Sequence, residues 1–296
     1  MSEHDAIRDV SLQAAVSVQS KAGQTAAIRG GVVMKPRILL FIPAYNCEKQ
    51  IVRVLGSLDS RVMAYIDEVI VIDNRSTDGT VDAVREFMRT HTCLPVRLFK
   101  NKDNYGLGGS HKVAFNYAIH ENFDHIIVLH GDDQGDIHDF LPVLKKEIYR
   151  GYDCVLGARF MLQSRLEGYS LFRTVGNIVY NFLYALALRD RVFDLGSGLN
   201  MYSVDVLRDK FYMKFPDNLM FNCTMLLSVA FYNLTMRFYP ISWRETDQVS
   251  NVKMASQSIK TLRILFDYMD MPTRLRAEYR DIPREKYEYE EIRPAG

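Results

Sequence analysis

With 296 residues, 48% of them hydrophobic and 25% charged, the chain has the composition of a folded globular protein, long enough for one large α/β domain or two small ones. A net charge of +1 excludes a global field directed at nucleic acid or at an acidic surface. Four cysteines, Cys47, Cys93, Cys154 and Cys223, are spread too evenly for a zinc ribbon or a Cys-x-x-Cys redox pair, and they read as reduced thiols of a cytoplasmic protein.

Residues 1–33 lack sustained periodicity and are rich in Ala, Ser, Gln and Gly, which predicts a flexible N-terminal tail. From Arg37, short apolar runs alternate with stretches of helical period, the pattern of a mostly parallel sheet flanked by helices. Strands are expected at residues 38–42, 68–72, 96–99, 125–129 and 154–156, and helices at 48–58, 80–90, 109–120 and 137–149. After Arg159 come a loop, an apolar helix around residues 172–188, the segment "DLGSGLNMYS", another helix, and a strand near 237–242. The most apolar stretch, "VGNIVYNFLYALAL", is 14 residues long, whereas a spanning helix needs ~20, so no transmembrane helix is expected. The end, "RAEYRDIPREKYEYEEIRPAG", is charge-dense and predicts an exposed helix or tail.

Open α/β sheets bind ligands in the loops at the carboxyl ends of their parallel strands, and the chemically informative residues collect there. "PAYNCE" follows the first strand, "DNRSTDGT" the second, "NKDNYGLGGS" the third and "HGDDQGD" the fourth. Asp73 can accept a hydrogen bond from a nucleobase or ribose, or it can merely cap its turn; this loop alone suits either reading. Gly106, Gly108 and Gly109 precede a helix whose dipole favours an anion, although a turn at the head of a helix explains the same glycines. The stretch is not the dinucleotide fingerprint, because His111 stands at the place of its last glycine.

In "IIVLHGDDQGDI" a buried strand runs straight into Asp132, Asp133 and Asp136. Mg²⁺ or Mn²⁺ takes oxygen ligands from one or two carboxylates and leaves positions for substrate phosphates. Asp132 and Gln134, two apart, project to one side if extended. A solvated acidic turn capping the helix near Ile137 accounts for Asp136, and less well for carboxylates directly after a buried strand.

Taken together, "PAYN", the Asp-Asn-x-Ser-x-Asp-Gly-Thr segment, the Asn-x-Gly-x-Gly-Gly segment and the acidic strand end resemble the family 2 glycosyltransferases, in order and in spacing, over roughly Arg37 to Lys253. The resemblance implies the GT-A fold, an α/β nucleotide-sugar-binding domain over residues 34–255 followed by a helical, charged extension over 256–296. The chain is similar to polyprenyl- and dolichyl-phosphate sugar synthases, without transmembrane helices. By that resemblance Pro43, Tyr45 and Asp73 line the base and ribose pocket, with Gly109, Lys112 and Arg244 also on the donor side. Asp132 is the metal-binding Asp, assisted by Gln134. Arg159 of "LGARF" and Arg173 hold an acceptor phosphate. Asp194 is a general base or orienting group, or else organises its loop, and Ser197 contacts the acceptor. Arg244, Ser250 and Lys253 belong to a loop that closes over the diphosphate. The catalytic set is Asp132, Asp194 and Arg159. Two positions depart from the family pattern: His130 stands where its first Asp is usual, and Cys47, next to Glu48, where a Glu is usual.

The implied function is metal-dependent, inverting transfer of a sugar from a UDP- or GDP-sugar, with Mg²⁺ or Mn²⁺, to a polyprenyl phosphate, a glycolipid or a glycan. No nucleic-acid partner is expected. The expected location is cytoplasmic; the apolar helix leans towards peripheral contact at the inner face of the membrane, although burial in the core is the safer reading of it. The alternatives are a nucleotidyltransferase that makes a nucleotide sugar and a catalytically silent nucleotide-sugar-binding protein.

Overall fold

The computed structural model describes residues 28–29, 32–33, 35–245, 247 and 254–294. The tail expected over residues 1–33 lies outside the described residues, apart from an antiparallel pairing of Ile28–Arg29 with Val32–Val33. Ser250 and Lys253 lie outside them as well. From Pro36 the chain forms a separate unit, to which everything below belongs.

The strand β1 (Ile38–Ala44) is buried along its whole length, and its side chains alternate between two cores: Leu39 and Phe41 enter one, Ile38, Leu40 and Ile42 the other. A strand covered on both faces must be apolar at every position, which is why the parallel strands read as continuous greasy runs. The helices α1 (Glu48–Gly56) and α2 (Ser60–Met63), strand β2 (Glu68–Asp73), α3 (Thr80–Thr90), β3 (Val96–Asn101), α4 (Gly106–His120) and β4 (His125–Leu129) follow in the expected alternation. The single helix expected over 137–149 is instead broken, with 3-10 turns at Ile137–Phe140 and Ile148–Gly151 on either side of α5 (Leu141–Lys145). Pro142 has no N–H to bond back into the preceding turn, and Glu147 takes a left-handed φ of 49°.

Next come β5 (Cys154–Ala158), β6 (Arg165–Glu167), α6 (Leu171–Leu188), β7 (Leu199–Ser203), α7 (Val204–Leu207), α8 (Met220–Phe231), β8 (Met236–Pro240), β9 (Ser242–Arg244), α9 (Met254–Asp270) and β10 (Tyr289–Ile292). Among the described residues one sheet has eight strands in the order β8-β5-β7-β4-β1-β2-β3-β10. Its centre is parallel, β4 with β1, β1 with β2 and β2 with β3, and so is β5 with β8. β7 runs antiparallel between β5 and β4, filling a gap from inside "DLGSGLNMYS". The strand expected near 237–242 divides, because Pro240 cannot donate to a ladder; β9 leaves the main sheet to pair with β6.

The charge-dense end, expected as an exposed helix or tail, contributes the edge strand β10, antiparallel to β3. Its charges match across the pair, Arg97 with Glu291 at 2.8 Å and Lys102 with Glu290 at 2.9 Å, while the Tyr289 ring lies 4.8 Å from that of Phe99. The approach to β10 is fastened from inside. Lys112, wholly buried, donates through Nζ to Asp217 Oδ1 at 2.6 Å, and the Tyr287 hydroxyl donates to the same oxygen at 2.7 Å.

Strand β1 leads to β2 and β3 on one side and has β4 on the other. The crevice at the carboxyl ends of β1 and β4 is therefore the switch point at which open sheets bind ligands. Across it the Gly131 amide donates to the Pro43 carbonyl at 3.0 Å.

Burial pulls the Lys112 ammonium from its ordinary 10.5 down to about 8. Between those values the unfolded chain binds the proton that the folded chain has lost, so unfolding free energy should rise with pH from about 8 upward, and Lys112→Met should flatten that rise. Denaturant titrations at several alkaline pH values read both, and the variant should lose about 1–3 kcal/mol at pH 7, because it breaks a buried charged hydrogen bond.

Candidate active site

The loops after β1 and β2 are sewn together by their own side chains. Asn46, at a left-handed φ of 49°, accepts from the Thr77 amide through Oδ1 at 2.8 Å, and its amide donates to Ser76 Oγ at 3.0 Å. The Cys47 amide donates to Thr80 Oγ1 at 2.9 Å. Asn74 continues the seam to the loop after β3: its Oδ1 accepts from Asn101 Nδ2 and from the Tyr105 amide, each at 2.9 Å. Asp73 is fully buried, and its carboxylate accepts from the backbone amides of Arg75 and Ser76, both at 3.2 Å. It organises its own turn, as an aspartate at a strand end does. Tyr45 stands half-exposed at the rim beside Pro43. Cys47 is buried, its thiol pushed up to about 12 by desolvation, so it stays protonated at neutral pH.

Two donor-side candidates lie elsewhere. The amides of Gly108 and Gly109 donate to the Asp217 carbonyl at 2.7 and 3.3 Å, and a Cβ at Gly108 would come within 2.3 Å of Pro216 O. Gly106 and Gly108 let the head of α4 press against residues 216–218, and Gly109 offers no free amide. Lys112 faces the interior cluster of Asp217 and Tyr287 rather than the crevice.

At the end of β4, Asp133 has a left-handed φ of 59° and is nearly buried. Its carboxylate is held between Arg53 Nε at 2.6 Å and the Arg244 guanidinium, which also donates to the Asp133 carbonyl at 3.0 Å. Asp132 beside it is different. Among the described residues its side chain accepts one long bond, from the Gln134 amide at 3.3 Å, and pairs with no cationic side chain. Burial raises its carboxyl to about 6, an effect opposed by the Gln134 amide and by the nearby positive charge of Arg159. His130, partly buried under Gly198, is held near 4 by desolvation and is neutral, with Nε2 lacking any partner among the described residues.

Arg159 and Asp194 form a bidentate pair, Nε to Oδ2 at 2.7 Å and Nη2 to Oδ1 at 2.8 Å, with the Arg159 and Gly196 amides also donating to the carboxylate. Asp194 is thus saturated with donors and serves its loop and Arg159, which leaves no free lone pair directed at an acceptor. The guanidinium lies 4.9 Å from the Trp243 ring centre. Arg173, on the first turn of α6, donates to both Glu245 oxygens at 2.7 and 2.6 Å, and Gln134 Nε2 reaches Glu245 at 3.5 Å. Ser197 is buried and donates to Leu199 O at 3.1 Å; its hydroxyl shapes the turn into β7 instead of facing an acceptor.

The fold therefore gathers Asp132, Gln134, Arg159, Arg173 and Arg244 at one rim with Pro43 and Tyr45 across from them, and it turns Gly109, Lys112 and Ser197 away. Sequence reasoning missed Asp133, Glu245, Asn46 and Asn74. Asp133 and Glu245 each sit beside a residue that was singled out, and a charged side chain next to a functional one was the available signal. Among the described residues no three His, Cys, Asp or Glu side chains converge as a metal cluster. The donor set is one free carboxylate with a neighbouring amide. That suits a hard cation that completes its shell with phosphate and water, and it does not suit a cage built from protein alone.

A model of the family described as Glycosyl transferase family 2 matches residues 40–211. The UDP-N-acetylglucosamine–dolichyl-phosphate N-acetylglucosaminyltransferase of Methanococcus voltae is 26% identical over 181 residues, 58% of this chain and 71% of that protein. The dolichyl-phosphate beta-glucosyltransferase of Drosophila melanogaster is 24% identical over 227 residues, 70% and 67% of the two chains. Among solved structures, glucosyl-3-phosphoglycerate synthase from Mycobacterium tuberculosis, in complex with Mn²⁺, UDP-glucose and phosphoglyceric acid, shares the fold with a TM-score of 0.58 at 18% identity, covering 86% of this chain and 87% of that one.

The two carboxylates should respond differently to truncation. Asp194→Ala strips a nearly buried arginine of its bidentate partner and should lose about 3–5 kcal/mol in urea unfolding. Asp132→Ala removes a side chain that makes one weak contact, and it should stay within about 1 kcal/mol of the parent.

Proposed function

Since this chain belongs to glycosyl transferase family 2 and is a glycosyltransferase of GT-A fold, we propose that it moves a sugar from a nucleoside-diphosphate donor, a UDP- or GDP-sugar, to a lipid-linked phosphate acceptor. The observation that carries this reading is the contrast at the end of β4, where Asp133 is clamped by two arginines and Asp132 has no ion-pair partner among the described residues. A partly buried carboxylate without an ion-pair partner is costly, and a ligand that brings positive charge relieves the cost. Asp132 and Gln134 would hold Mg²⁺ or Mn²⁺, which would neutralise charge growing on the departing diphosphate.

The chain's own residues supply the rest. Pro43 and the exposed ring of Tyr45 form one wall for a base, over a loop that Asp73 and Asn46 hold in shape. Arg244, fixed through Asp133, offers a positive group on the diphosphate side. Arg159 and Arg173 each keep N–H donors beyond those given to Asp194 and Glu245, and a planar guanidinium fork suits a phosphate. In the transfer an acceptor oxygen bonds to the anomeric carbon as the bond to the diphosphate oxygen breaks on the opposite face, which inverts that centre.

The state of Asp194 bears on the acceptor. A sugar hydroxyl requires a base to take its proton, whereas a phosphate is already ionised. Asp194 is engaged by four donors and is poorly placed to serve as that base, which favours a phosphate. The names of the two curated relatives point the same way, since both include dolichyl phosphate.

Asp132→Ala should lower release of nucleoside diphosphate about 10²–10³-fold with its folding intact, the scale seen when one strong stabiliser of developing charge is removed. Metal-dependent turnover at the parental rate in that variant would overturn the assignment, and pyrophosphate as the product would mark a nucleotidyltransferase. In a thermal-shift screen, UDP or GDP with Mn²⁺ should raise the melting temperature of the parent and not that of Asp132→Ala.

A further inference from the structure

Helix α6 is apolar on the side that faces solvent. Leu171, Phe172, Val175, Ile178, Phe182 and Leu186 are each more than half exposed. Apart from Phe172 they recur at steps of three and four, so they form one stripe along a helix of roughly 27 Å. A soluble surface rarely leaves such a stripe uncovered. The opposite side of the helix is fixed to the fold: Asn181 and Tyr184 are buried, Asn181 Nδ2 donates to Phe193 O at 2.7 Å and the Tyr184 hydroxyl to Thr261 O at 3.0 Å. By length and composition α6 is apolar enough to cross a membrane, but these bonds hold one side of it to the protein.

We infer that the exposed face of α6 is a docking surface for a lipid bilayer with anionic head groups, the helix lying in the plane of the interface. Charge identifies the occupant. Arg165 lies just before α6, Arg189 and Arg191 just after it, and the adjoining helix α9 presents Lys260 and Arg263; all five are exposed and none forms an ion pair among the described residues. The exposed acids close to them in sequence are Glu167 and Asp190. Cations around an apolar stripe match a surface with anionic head groups and a hydrocarbon interior. A second copy packed about a twofold axis would instead bring this cationic rim against itself. The stripe also begins at the site, because Arg173 in the first turn of α6 holds Glu245, which Gln134 reaches. An amphiphile whose phosphate lies at Arg159 and Arg173 can keep its hydrocarbon in the bilayer under α6. This inference rests on the proposed lipid-linked acceptor for its link to the site, and its test does not use transfer.

The purified full chain is mixed with vesicles of phosphatidylcholine alone or of phosphatidylcholine with phosphatidylglycerol, and the bound fraction is read by sedimentation. The parent should bind the mixed vesicles, and less so as salt is raised. Ile178→Glu with Phe182→Glu should lower the bound-to-free ratio at least about tenfold, because two charges then enter the apolar layer. Arg189→Glu with Arg191→Glu should remove the preference for the anionic vesicles. All four positions are exposed, and an unchanged thermal melt confirms that the variants fold. Parent protein that stays in the supernatant with both vesicle types overturns the inference. So does a dimer, seen by light scattering, that the Ile178→Glu, Phe182→Glu variant abolishes while the parent ignores vesicles. Vesicle binding without glycosylation of any lipid phosphate would leave the inference standing and remove the proposed acceptor; transfer to a short-chain soluble phosphate without vesicle binding would do the reverse.

Discussion

The site depends on the pinning of Asp133. Its left-handed backbone and its two arginines, Arg53 from α1 and Arg244 from β9, turn the chain sharply after β4. A nearly buried carboxylate is tolerable there only because both oxygens meet guanidinium groups. The clamp joins three parts of the chain distant in sequence, and Asp132, one residue earlier, has no ion pair among the described residues. Two adjacent aspartates of identical chemistry thus become unlike. One is consumed in holding the structure, and the other keeps a carboxyl raised by burial, with no ion pair among the described residues.

Around that point the rim is held by side chains bonding to backbone rather than by packing. Asn46 and Asn74 each complete a neighbouring loop's hydrogen bonds and Asp73 completes those of its own, so the three loops after β1, β2 and β3 share one network. Loops carry unsatisfied amides, and short polar residues near strand ends are the economical means of satisfying them. This explains why the motifs are built from Asn, Asp, Ser and Thr. Elsewhere on the rim the same logic operates with charges: Arg159 with Asp194 and Arg173 with Glu245 keep two guanidinium groups there without leaving either unbalanced. The apolar face of α6 starts where that charged rim ends, which sets a polar site next to an amphipathic border.

Much of the fold was legible in the chain. The run from Ile38 to Leu129 alternates strand and helix so regularly that strand positions and the parallel arrangement follow from period and composition. β7 and β10 were not legible. β7 lies in a stretch broken by glycines and carries Asn200, and β10 is so charged that local pattern favours a tail. Both become strands because a neighbour offers an open edge and complementary side chains, which is information held by the partner strand. The chain around Pro142 likewise shows how one residue without an N–H redirects a segment whose apolar period alone argues for a single helix.

The sequence by itself determined which chemical groups stand at the strand ends and the order in which the loops present them, because strand period and turn chemistry are local properties of the chain. Tertiary structure alone decided what each of those groups faces. Lys112 and Asp194 look alike as candidates in sequence terms, yet one is drawn into the interior by Asp217 and Tyr287 and the other is saturated by Arg159. The physical reason is that a charge's role depends on the counter-charge and solvent around it, and both are supplied by residues far away along the chain.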